Sequence, residues 1–352
     1  MKLNKAIRAI VFLVVVILGF SAVSSLLCAG DGRYFAAKSA FKALYSIPDN
    51  SADVIYIGSS SAARSFIPPL IYEQTGISSI LLAPPSASSI TIKYLIAEAL
   101  RTQSPKLIVI DLAALVSEAV NHDKGYGIPE RSFRPTTDYM DILSPNRYEA
   151  ICNGVDLLEP EPQSSHDKLS YVVPLIFWHS SWKDLPQQIS SSIHNKQYYF
   201  MGYAMTFNRK PIKALTLEQY LSEPVASQFI DEQLGDLLKF IKNTDADYLF
   251  VRPPMNLGNS NNHLSYWNYT KKQLADAGYL VLDTAYDYIN DIGIEWDKDF
   301  ADEVHLHVHG AVKFTTFIGK WLKDKYNLPD HRQDKGYELW HETYSQLLPF
   351  IS

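Results

Sequence analysis

Asp53-Val-Ile-Tyr-Ile57 runs directly into Gly58-Ser59-Ser60-Ser61. Four consecutive apolar or aromatic residues, all good strand formers, read as a strand buried on both faces. A glycine at the strand's end permits a tight turn without a Cβ clash. The residues after it then present hydroxyls and backbone N–H groups at the strand's carboxyl end, so one of Ser59, Ser60 and Ser61 is a candidate nucleophile. Gly-Ser-Ser-Ser alone is also compatible with a plain turn.

Further strands follow outward from this one. Ser79-Ile-Leu-Leu-Ala83 is closed by Pro84-Pro85, and Lys106-Leu-Ile-Val-Ile-Asp111 is continuously apolar. Thr244 to Val251 ends at Pro253-Pro254, and Tyr279-Leu-Val-Leu-Asp283 is the fifth. Apolar residues at helical spacing lie between them, at Thr91–Arg101, Ala226–Lys242 and Tyr266–Ala277 before Gly278. Strands alternating with helices predict an α/β fold: a three-layer α/β/α sandwich around a mostly parallel, five-stranded sheet. The segment from about 120 to 221 breaks this rhythm and is rich in Tyr, Trp, His, Ser and Pro. It reads as an insertion over the sheet's carboxyl edge, where ligands bind in such folds, or as a helical subdomain that only packs.

The 352 residues suffice for one large domain, and 47% hydrophobic against 20% charged residues fits a chain with a real core. A formal net charge of −6 argues against nucleic acid as a partner. Of the two cysteines, only Cys152 lies in the body, so no structural disulfide is expected. Lys2, Lys5 and Arg8 precede an uncharged run from Ala9 to Gly30. That run is about long enough to span a bilayer, and cations on its N-terminal side keep that end in the cytoplasm. Residues 1–30 are therefore expected to be a transmembrane anchor, with a cleaved signal segment as the alternative. Residues 31–50 read as a connector, 51–328 as the α/β domain and 329–352 as a tail with a short amphipathic helix. In either case the body works outside the cytoplasm.

Near the other end, Asp302-Glu-Val-His305 precedes Gly310 and an apolar helical pattern. An aspartate three residues before a histidine can bond one ring nitrogen and leave the other to accept a serine proton. His305-Leu-His-Val-His309 also puts alternating histidines on one strand face, as a metal site would. No HExxH-type signature supplies further ligands, so His307 and His309 are read as turn residues, and neither metal nor cofactor is expected.

Asp53 to Ser88, with Ile-Gly-Ser-Ser-Ser, Ile67-Pro, Thr75-Gly and Leu-Leu-Ala-Pro-Pro-Ser-Ala-Ser, resembles the first two blocks of the SGNH (GDSL-like) hydrolases. Asp302-x-x-His305-Leu, followed by Gly310-Ala311 and Lys313-Phe-Thr, is similar to their last block. The resemblance is closest to the membrane-anchored, extracytoplasmic branch that includes the teichoic-acid D-alanylation and alginate O-acetylation proteins. It implies a serine esterase or O-acyltransferase with Ser60 as nucleophile, His305 as base and Asp302 as its orienting acid. It implies an oxyanion hole using the N–H of Ser60 and that of Ser86, which stands where the family has glycine. The family's asparagine after the third strand has no counterpart in Ile110-Asp111-Leu-Ala-Ala114, and Asn256 is the substitute donor in another loop. The partners it implies are an acylated surface glycan or cell-wall polymer, a membrane-bound O-acyltransferase as acyl supplier, and the bilayer itself. His179, Trp182 and Tyr203 are candidates for sugar or acyl contact, and Arg252 for an anionic polymer. A non-catalytic glycan-binding or membrane-partner protein that keeps this fold is the competing expectation.

Overall fold

The computed structural model describes residues 2–27, 32–159, 168–184, 200–256 and 263–352. Its centre is one sheet of strands β1 (Val54–Ile57), β2 (Ser79–Leu82), β3 (Leu107–Asp111), β4 (Asp247–Arg252) and β5 (Leu280–Asp283), in the order β2-β1-β3-β4-β5. Every pairing is parallel. The chain leaves β1 for β2 on one side and then returns to β3 on the other. That reversal opens a crevice at the carboxyl ends of β1 and β3, the usual place for a ligand in an open parallel sheet.

Alternate residues of each strand face opposite layers. Ile55 and Ile57 join Ile80, Leu82, Ile108, Ile110 and Phe250 in one core cluster, while Val54 and Tyr56 join Leu81, Val109, Leu249 and Val251 in the other. The first face is covered by α2 (Gly32–Ser46), α5 (Ser89–Ala99), α6 (Leu112–Val116), α7 (Gln228–Ile241) and α8 (His263–Asp276). The second is covered by α3 (Ser60–Ala63), α4 (Pro68–Thr75) and α9 (Val308–Lys325). With every residue of β1 buried on both sides, the strand is held by apolar contact along its whole length.

The two segments set apart in the sequence as connector and tail are both packed helices. α2 buries Phe41 and Leu44 in the first core. α10 (Glu338–Ile351) buries Trp340, whose Nε1 donates to Ser79 O at 2.8 Å, and sets Leu347 into the opposite core. Burying side chains of this size stabilises by about 1.5–3 kcal/mol each.

Residues Lys2–Leu27 form α1, with Ile10, Phe12, Leu13 and Leu18 exposed along it. No helix among the described residues is long and apolar enough to cross a membrane. Several side chains of this run (Ile17, Ser21 and 24–26) and the whole of 28–31, including Cys28 and the Cys28-Ala-Gly30 cleavage candidate, lie outside the described residues.

Candidate active site

Ser60 is the first residue of α3, immediately beyond the β1 tip, and Ser59 caps that helix. All three serines line one cavity, but Ser59 and Ser61 are buried and Ser60 is the most exposed of them. From the loop before α9, His305 Nε2 lies 2.9 Å from Ser60 Oγ, and His305 Nδ1 lies 2.7 Å from Asp302 Oδ2. The carboxylate accepts, which fixes the imidazole proton on Nδ1 and turns the Nε2 lone pair to the serine hydroxyl. This arrangement lets an imidazole take a proton from a hydroxyl as the oxygen attacks a carbonyl.

Asp302 is held in turn. Its Oδ1 accepts the N–H of Val304 at 2.9 Å and of His305 at 3.0 Å. Partial burial pushes its carboxyl up, but the His305 ring N–H and the two backbone N–H groups outweigh it, and the net shift is downward. Asp302 is thus an anion wherever His305 needs one. Arg64, at the end of α3, is close enough for the Asp302 charge to bear on it; burial lowers its guanidinium and Asp302 partly offsets that. Asn256 helps set the loop, its backbone N–H donating to Glu303 O at 2.8 Å.

The hydroxyl of Ser60 opens onto a cavity of about 290 Å³ that also contacts Ser86, Glu118, Arg131, His263 and Trp267. Ser86 follows β2 with φ +59°, a left-handed backbone that a non-glycine residue occupies at a cost on the order of 1–3 kcal/mol. Ser86 therefore sits in a backbone conformation that favours glycine. On the far wall, burial and the Lys124 charge lower the His263 imidazole, and the buried Nδ1 of His263 and Nε1 of Trp267 find no hydrogen-bond partner among the described residues. Glu118 accepts from Ser132 Oγ at 2.7 Å.

Other sequence candidates lie elsewhere. Asn256 does not line the cavity: its Nδ2 donates to Lys213 O at 2.9 Å, which corrects its expected place in an oxyanion hole. Arg252 is only 1% exposed, so it cannot meet a polymer. Its guanidinium lies over the Trp267 ring at 3.8 Å and its Nη1 is 3.5 Å from Asp283 Oδ2, so it backs the cavity wall from inside. His179 is exposed with Nδ1 2.7 Å from Ile176 O, Trp182 is 61% exposed, and neither contacts the cavity. Tyr203 is buried in the second core, and that burial raises its phenol. His307 caps α9 by accepting the His309 N–H at 3.2 Å, and Arg209 Nη2 is 3.3 Å from His309 Nδ1. Among the described residues no cluster of His, Cys, Asp or Glu suits a metal ion.

The sequence did not disclose the far wall. His263 and Trp267 reach the cavity only because α8 packs beside α6, a long-range contact with no local signature. Asp111 had one legible signal, an aspartate capping the Leu-Ala-Ala-Leu-Val helix that follows it.

No family model matches the chain, and no curated protein does. Among solved structures it is similar to one described as a lipolytic protein of the G-D-S-L family from Desulfitobacterium hafniense DCB-2. The alignment covers 85% of this chain and 99% of that one at 12% identity, with a TM-score of 0.29. At that score the overlay carries no functional weight, which rests on the hydrogen-bond geometry around Ser60.

Proposed function

We propose that the protein is a serine esterase or O-acyltransferase acting on acyl esters. The observation that carries this reading is the continuous chain from Ser60 Oγ through His305 to Asp302 at the mouth of a cavity. Ser60 Oγ attacks the ester carbonyl while His305 Nε2 takes its proton. The N–H groups of Ser60 and Ser86 are the donors assigned to the oxyanion. As the tetrahedral species collapses, His305 returns the proton to the departing alcohol and the acyl group stays on Ser60. Water, or an acceptor hydroxyl deprotonated by His305, then releases it.

The finer reading places this chemistry outside the cytoplasm, on an acylated cell-surface glycan or cell-wall polymer, with a membrane-bound O-acyltransferase as acyl supplier. It is supported by the cations ahead of the apolar run in 9–30 and by the resemblance of the Ser60 and Asp302–His305 blocks. Ser60→Ala in the purified full-length chain is expected to abolish aryl-acetate turnover; unchanged turnover would sink the assignment.

A second reading, a glycan-binding protein that has kept the fold, is favoured by one observation. Where the family pattern puts a donating asparagine, this chain has Asp111, whose carboxylate accepts hydrogen bonds. Losing one oxyanion donor costs on the order of 10²-fold or more in rate. A fluorophosphonate probe separates the two, since a binding protein leaves it unreacted.

A further inference from the structure

Asp111 ends β3 and is wholly buried, at a point where an apolar residue would cost far less desolvation. Its surroundings compensate only in part, and burial still holds the carboxyl above its ordinary range. Ser61 Oγ donates to Oδ2 in a short hydrogen bond, and the Ala113 N–H donates to Oδ1 at 2.9 Å. The backbone N–H groups of Ser59 and Ala62 lie on the same side and favour its charged form, and Ser59 Oγ lies 3.0 Å from Ser61 Oγ. Both neighbours of Ser60 are therefore tied to one carboxylate, and the hydroxyl between them faces His305. Gly58 makes the approach possible: a Cβ there would stand 2.6 Å from Asp111 Cβ and 2.7 Å from Ala62 Cβ.

We propose that Asp111, acting through Ser61 and the turn amides, is a positioning residue that aims the hydroxyl and N–H of Ser60 at the acyl carbonyl. The inference rests on the reading of Ser60 as nucleophile and extends it to the group that holds Ser60 in place. In the family pattern this position serves the oxyanion directly. Here the carboxylate faces backbone and Ser61 donors instead, and its effect reaches the reaction only through the geometry of the turn. A misplacement of about 1 Å at a reacting atom is enough to lose on the order of 10²-fold in rate.

The test is the reaction of the full-length chain with a fluorophosphonate, resolving the inactivation rate constant kinact from the binding constant KI, alongside thermal unfolding. Ser61→Ala leaves Asp111 its Ala113 N–H donor and is the variant expected to fold. Its kinact is expected to fall roughly 10-fold with KI within about twofold, and Asp111→Asn to fall on the order of 10²-fold. A purely structural role would instead lower the unfolding midpoint and leave kinact of the folded fraction unchanged, and that result overturns the proposal. If Asp111→Asn does not fold, Ser61→Ala decides alone. A wild-type chain that reacts while Ser61→Ala reacts equally fast overturns only this inference. A wild-type chain that does not react overturns the esterase reading as well.

Discussion

The strand tips and the inserted middle use polar residues in opposite ways. At the tips of β1 and β3 and in the loop before α9, each polar side chain has a direction: Asp111 holds Ser61, His305 faces Ser60 and Asp302 orients His305. In the middle, charge is sealed into a packing core. Arg134 is fully buried between the rings of Tyr171 and Phe177, at 4.0 and 3.7 Å, and pairs with Glu130 at 2.6 Å and Asp138 at 3.5 Å. Trp178 completes that cluster by donating to Asp138 at 2.8 Å. The insertion reaches the cavity through Arg131 and Ser132, beside the cluster rather than within its rings. A dense run of aromatics and cations is thus a poor marker of a ligand site, whereas the switch point at the carboxyl ends of β1 and β3 is a good one.

That contrast breaks if substitutions at the tips cost stability and those in the middle cost rate. The largest effect expected is at Asp302. Asp302→Asn loses the anion that fixes the His305 tautomer, and kcat for an aryl ester should fall on the order of 10⁴-fold with the fold retained. Its pH signature has a definite sign. The folded carboxyl lies below its ordinary value, so its contribution to stability is present above that value and is lost as pH falls through the folded one. Unfolding midpoints of wild type and Asp302→Asn should therefore converge in acid, and a gap that widens there would refute the stated cause. Because Asp302 is 39% exposed, solvent screening keeps that gap small.

Arg134→Ala should do the reverse. It strands two buried carboxylates and should destabilise by about 3–5 kcal/mol in denaturant unfolding, while turnover per folded molecule stays at the wild-type level. A loss of turnover in the folded fraction would show that the insertion shapes the site after all. The smallest effect is expected at Trp182. Its ring is exposed and away from the cavity, so Trp182→Ala should leave kcat/KM within about twofold and stability within about 0.5 kcal/mol. A large rise in KM would restore it as a substrate contact.

The sheet was legible because each strand has a short apolar run at its centre bounded by Gly, Pro or Asp, and burial on both faces of β1, β2 and β3 demands such runs. Asp302 and His305 were legible because only two residues separate them and their bond is local. Ser60 needed more: the turn carries three serines, and what singles out the middle one is its place in the resembled block and its 2.9 Å approach to His305 Nε2. Arg252 misled because a charged residue at a strand end reads as exposed, whereas Trp267 and Asp283 enclose it. The carboxylate of Asp111 misled in another way, since its partners in the Ser59–Ala62 turn lie on a neighbouring strand's tip. Such partnerships are set by sheet order, which no local pattern encodes.

The central claim is that Ser60, alone among three adjacent serines, is the nucleophile. Peptide mapping by mass spectrometry of the full-length chain after fluorophosphonate treatment tests it most directly. The adduct should fall on Ser60, and Ser60→Ala should carry none. An adduct on Ser59 or Ser61, an adduct that survives Ser60→Ala, or no adduct on the wild-type chain would contradict it.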